Sequence, residues 1–153
     1  MTYLCLKRQT VKKDNYLLTA IRKEDIQKIR KWRNEQMDIL RQDKPISYED
    51  QEIYYLKSLV PNFSEKHPEN ILLSFLEDNK LIGYGGLVHI NWETNSAEVS
   101  FLLETKRTWS GNLRSQFWWV DRQCILPIHY NSFVKVLIID FEMHSLLSLF
   151  RWD

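Results

Sequence analysis

Residues 71–104 read ILLSFLEDNKLIGYGGLVHINWETNSAEVSFLLE, and this stretch decides the fold. Asn70–Glu77 is a run of apolar β-formers that ends at the turn residues Asp78-Asn79-Lys80. Leu81–Trp92 follows and stops at Glu93-Thr94-Asn95, and Ser96–Glu104 completes the set. Short β-prone runs joined by tight polar turns predict an antiparallel meander. Gly83, Gly85 and Gly86 crowd the middle run. Glycine weakens a strand, so three of them predict a bulge or a close approach of backbone.

Upstream, Tyr16–Ile21 reads as a short strand. Glu24 and Asp25 suit a helix N-terminus, and Ile26, Ile29 and Trp32 follow at helical steps, predicting a helix to about Asn34. Ser47 is a candidate N-cap for a second helix, with Ile53, Leu56 and Val60 as its apolar stripe and Pro61 as its stop. Residues 61–69 read as a loop, and residues 1–15 as a loose, basic N-terminal arm. Downstream, Leu113, Phe117, Val120 and Cys124 form a helical face. Phe133–Ile139 reads as a strand covered on both sides, and His144–Phe150 as a last short helix. The order is β α α β β β α β α, an α/β domain with a mixed sheet over residues 16–153.

The composition of the 153 residues, 44% hydrophobic and 27% charged, is that of a globular domain. No apolar run approaches the ~20 residues of a membrane helix, so no membrane partner is expected. The N-terminus has no secretory h-region, and Cys5 and Cys124 make no zinc or redox spacing; a reduced, cytoplasmic protein is the expectation. The four histidines, 67, 89, 129 and 144, show no ligand spacing, so no metal is expected. A net charge of +1 argues against a general nucleic-acid binder. The charge is uneven: +7 over residues 1–33, −8 over 34–104 and +2 over 105–153. Solvated faces explain this, and so does a basic rim for a phosphate ligand beside an acidic mouth for an amine.

With these strings in this order, IRKEDIQKIRKWRNE followed by the 71–104 meander, the chain resembles the GNAT (Gcn5-related) N-acetyltransferases. The likeness is to the branch acting on amino-sugar nucleotides, protein N-termini or polyamines. It covers about residues 16–105, and the C-terminal third diverges or is incomplete. The resemblance implies a mostly antiparallel sheet flanked by helices, whose fourth strand (Ser96–Glu104) splays from the fifth (Phe133–Ile139). It also implies acetyl-CoA as co-substrate and a small-molecule amine as acceptor, with a nucleotide-linked amino sugar as a candidate, and is compatible with a homodimer. The pantetheine arm would bond to the backbone of Phe101, Leu102 and Leu103, as an added strand does. The family's pyrophosphate loop, [QR]-x-x-G-x-[GA], falls on Lys106 to Asn112, where Lys106, Arg107, Gly111 and Asn112 are the candidates. The pattern is degenerate: counted from Arg107, the fourth position is Ser110 and the sixth Asn112. The tyrosine that protonates the departing thiolate in relatives corresponds to Phe150, which has no proton to give.

Amine acetylation needs a base for the ammonium and a donor for the carbonyl oxygen. Glu98 is the first candidate base, where many relatives carry a carboxylate, and His89 the second, since imidazole titrates near neutrality. The backbone N–H of Leu102 or Leu103 would polarise the thioester. Trp32, Arg33 and Tyr84 are the candidates for the acceptor pocket, with Arg33 and Arg41 suited to a phosphate. Each has a structural reading beside the functional one: an outward strand carboxylate, a structural histidine, a core tryptophan, a packed sheet tyrosine. A GNAT-like domain that binds acyl-CoA or a partner without catalysis is the alternative to an enzyme.

Overall fold

Two consecutive residues with positive φ, Asp78 (48°) and Asn79 (63°), turn the chain between β3 (Ile71–Glu77) and β4 (Lys80–Asn91) in the computed structural model. Positive φ at both central positions suits the right-handed twist of a two-residue hairpin, and Asp and Asn tolerate it. The structure describes residues 1–40, 42–94, 96–107 and 135–137. Within them the strands are β1 (Thr10–Lys13), β2 (Tyr16–Ala20), β3, β4, β5 (Ser96–Leu103) and β6 (Lys135–Leu137). They lie in the order β1-β2-β3-β4-β5-β6; every pair is antiparallel except β5–β6, which is parallel. The expected mixed, mostly antiparallel sheet is therefore present. The strands expected as fourth and fifth are the fifth and sixth.

They are displaced by one because residues 1–15 are not a loose arm. β1 pairs with β2 along its whole length, and Tyr3 (0% exposed), Leu6 and Val11 belong to the core. The Tyr3 hydroxyl donates to the Leu72 carbonyl (3.0 Å) and accepts from the Leu72 N–H (2.9 Å), tying the terminus to β3. The basic residues around it mask this apolar set in the sequence.

Helix α1 (Ile26–Glu35) buries Ile26, Ile29 and Trp32 as expected, and it touches both α2 and β5. Ser47 caps α2 (Tyr48–Tyr54) by accepting from the Asp50 N–H (3.0 Å). The buried stripe differs from the expected one. α2 continues into a π-turn (Tyr55–Leu59) and a 3₁₀ turn (Val60–Ser64), and Gln51, Tyr55, Leu59 and Phe63 face inward. Ile53 and Leu56 are exposed, and Pro61 lies inside the 3₁₀ turn rather than ending the helical run. Both faces carry large apolar residues at helical spacing, so periodicity alone did not distinguish them.

Between β4 and β5, two residues, His89 and Ile90, oppose one, Ala97, which is a β-bulge. His89 there has φ of 51°. A second irregularity lies between β3 and β4 beside Gly83. Gly86 has φ of 145°, and a Cβ there would sit 2.0 Å from the Ile71 carbonyl oxygen; one at Gly83 would sit 2.8 Å from that of Leu102. Close backbone approach thus accounts for both glycines. β6 (Lys135–Leu137) lies within the expected 133–139 strand, whose other residues fall outside the described ones. The expected helices beginning at Leu113 and His144, Phe150, and the splay beyond Glu98 fall outside the described residues.

Candidate active site

Register fixes which backbone groups line the outer edge of β5. The Glu104 N–H bonds to the Ile82 carbonyl (2.8 Å), and Gly83 stands opposite Leu103. Antiparallel ladders alternate, so Leu102 turns its N–H and C=O toward β4, while Phe101 and Leu103 turn theirs to the opposite edge. The Leu103 carbonyl there accepts from the Gln36 side-chain amide (2.9 Å) at the end of α1. Among the described residues, β6 pairs with this edge at Ser96, Ala97 and Glu98. By this phase Phe101 and Leu103 turn their backbone groups to the edge away from β4, and Leu102 does not.

Glu98 lies opposite Val88, at the foot of the bulge. The bulge turns His89 so that its Nδ1 stands 3.5 Å from Glu98 Oε2; the side chains are 66% and 31% exposed. The His89 N–H is held by the Asn70 side-chain oxygen (3.2 Å). The two candidate bases are therefore one solvent-reached pair. Alternation places Tyr84, Gly86 and Val88 on the same sheet face as Leu102, Ser100 and Glu98.

Arg33 projects from α1 to the Tyr84 hydroxyl on this face. Burial raises the Tyr84 pKa, and the Arg33 charge opposes that shift. Tyr54 of α2 completes the group; burial raises its hydroxyl pKa first, then Tyr84, with Arg33 acting in the opposite sense. Sequence reading missed Tyr54 because no motif marks it, and its nearness to Arg33 depends on how α2 packs on α1. Trp32, 3% exposed, is a core residue with Lys28 Nζ 5.0 Å from its ring centroid. Asn34 anchors the segment after α1: its side chain accepts from the Ile46 and Gln42 donors and donates to the Ile46 carbonyl.

Of the expected pyrophosphate ligands, Lys106 is exposed. Arg107 instead turns to the sheet, 2.7 Å from Glu77 Oε2 and 3.4 Å from Glu104 Oε2. Gly111, Asn112 and Arg41 lie outside the described residues. Among the described residues no group of three or more His, Cys, Asp or Glu is placed to hold a metal, and no helix is long and apolar enough to cross a membrane.

The acetyltransferase (GNAT) domain model matches residues 18–115, and the chain belongs to that family. Among solved structures, a chimera of the spermidine N-acetyltransferase SpeG of Vibrio cholerae with hSSAT aligns with a TM-score of 0.64 at 19% identity, covering 89% of this chain and 77% of the other. The Vibrio cholerae spermidine N-acetyltransferase in complex with CoA and spermine aligns with a TM-score of 0.54 at 22% identity, over 67% of this chain and 59% of that one. Its dodecameric form aligns with a TM-score of 0.59 at 20% identity, over 88% and 75%. At these identities the likeness is one of fold. No curated protein matches the sequence.

Proposed function

We propose that the chain transfers the acetyl group of acetyl-CoA to the amine of a small molecule. The observation that carries this is the β-bulge that sets His89 against Glu98 beside the β5 edge. Bulges re-aim side chains at active sites, and a left-handed histidine is a costly way to decorate a surface. Phe101 and Leu103 would hold the pantetheine arm through their backbone, and Lys106 would supply charge toward the pyrophosphate. Bound acetyl-CoA supplies an activated thioester.

Glu98 takes the proton from the acceptor ammonium, directly or through water, and His89 beside it relays that proton to solvent. The Leu103 N–H donates to the thioester carbonyl oxygen. Transfer forms the N–C bond and breaks C–S, and the thiolate takes its proton from solvent, since Phe150 offers none. The acceptor lies on the face of Tyr84 and Arg33, with Trp32 shaping that face from the core beneath. Nucleotide-linked amino sugars and polyamines are the two acceptor classes to separate; the solved relatives are spermidine N-acetyltransferases.

Arg107 favours a second reading. Its charge is engaged by Glu77 and Glu104 rather than offered to a phosphate, as suits a domain that binds acyl-CoA weakly or not at all and works through a partner. Thermal shift and thiol release separate the two. Acetyl-CoA at 100 times its Kd stabilises a binding-competent fold by ~2.7 kcal/mol. Stabilisation with amine-dependent thiol release supports the enzyme. Stabilisation without release supports the binding domain, and no stabilisation removes acetyl-CoA from both.

A further inference from the structure

We infer that Arg33, Tyr54 and Tyr84 form an oxyanion subsite, so that the accepted amine also carries a carboxylate or a phosphate. This deepens the acetyltransferase reading and rests on it. Arg33 Nε is shielded from solvent and has no hydrogen-bond partner among the described residues. The ion pairs among the described residues leave Arg33 without a carboxylate. Glu69 acts electrostatically on Tyr54. A guanidinium presents a planar fork of donors, a shape and charge that match an oxyanion. Leaving the shielded Nε–H unmatched is costly, which gives an incoming anion its advantage.

The surroundings fit that occupant. Tyr84 is 7% exposed, and Tyr54, 36% exposed, is open to solvent. Both hydroxyls are donors to an anion while protonated. Tyr84 and Val88 are four residues apart on β4, and Val88 stands opposite Glu98, so about 13 Å of strand separates the anion end from the proton-accepting end. Gly86 and Ser100, both small, occupy the strip between them. An acceptor several bonds long, with its amine at Glu98 and its oxyanion at Arg33, spans this strip. A polyamine would bring a second cation to Arg33.

The test compares matched amines of the required length with acetyl-CoA: 1,8-diaminooctane with 8-aminooctanoate, and 6-aminohexanol with 6-aminohexyl phosphate. The anionic member of at least one pair is expected to show kcat/KM at least tenfold higher, carried by KM. The phosphate and carboxylate pairs identify the source of the oxyanion. Arg33→Gln should bring the ratio within a pair close to one, and Arg33→Lys should keep part of it. Equal use of both members, preference for the cation, or a preference that survives Arg33→Gln overturns the subsite and leaves the acetyltransferase reading standing. Thermal shift with inorganic phosphate and with acetate is the readout that does not need turnover. Stabilisation lost in Arg33→Gln supports the subsite even where no amine is acetylated, an outcome that overturns the transfer reading alone. No Arg33-dependent stabilisation together with no acetylation overturns both. Should Arg33→Gln not fold, Arg33→Lys and Tyr84→Phe carry the same comparisons.

Discussion

Glu98→Gln keeps the size of the side chain and removes its capacity to accept a proton. General-base catalysis contributes ~10²–10⁴-fold, so acetylation at neutral pH should fall within that range in a steady-state assay. Acetyl-CoA binding should barely move, because Phe101 and Leu103 would bind through backbone. Part of the rate should return at high pH, where more of the amine is neutral. An undiminished rate would transfer the base's role to His89, 3.5 Å away. At this scale the sequence named both members of the pair, because acidic and imidazole side chains in a strand stand out. That they meet depends on the bulge, and a bulge is a property of two strands together.

Gly86 shows the same dependence at the level of the element. Its φ of 145° and the Ile71 carbonyl oxygen 2.0 Å from a would-be Cβ leave no room for a side chain. Backbone strain of about 1–3 kcal/mol and overpacking of about 1–3 kcal/mol both fall on Gly86→Ala. The variant should be destabilised by roughly 3 kcal/mol in urea unfolding, and a loss under 1 kcal/mol would show that β3 and β4 can separate there. The three glycines announced a close approach; only the register says that Ile71 is the residue approached. α2 teaches the reverse lesson. Tyr48, Ile53, Tyr54 and Leu56 are as apolar as Tyr55 and Leu59, yet they are the exposed set. Two candidate faces on one amphipathic run are resolved by what the helix lies against.

For the whole molecule, removing residues 1–15 strips Tyr3, Leu6 and Val11 from the core and bares the edge of β2. At ~1.5–3 kcal/mol per buried side chain, the loss approaches the ~5–15 kcal/mol total of a small domain. The truncated chain should lack a cooperative thermal transition by circular dichroism; an intact transition would refute the anchoring role. Alkaline pH should act on the same anchor. Burial raises the pKa of both Tyr3 and Tyr84 above the ordinary value near 10. The folded state then holds protons that the unfolded state releases, so this stability is complete below pH ~10 and is lost as pH rises toward the raised values. Denaturation midpoints should fall steeply above pH 10, and less steeply in Tyr3→Phe. The sequence by itself determined the meander, its turns, α1 and the cap of α2, because hydrophobic period, turn chemistry and capping act over a few residues. It also carried the family likeness and offered Glu98, His89, Arg33 and Tyr84 as candidates. Tertiary structure alone decided that the terminus is a strand, that Arg107 answers to Glu77 and Glu104, that Leu102 faces β4 while Leu103 faces the edge, and that Arg33 meets Tyr84 and Tyr54. Each of these is a contact between residues tens of positions apart. Its energy depends on burial and register that no local stretch of sequence contains.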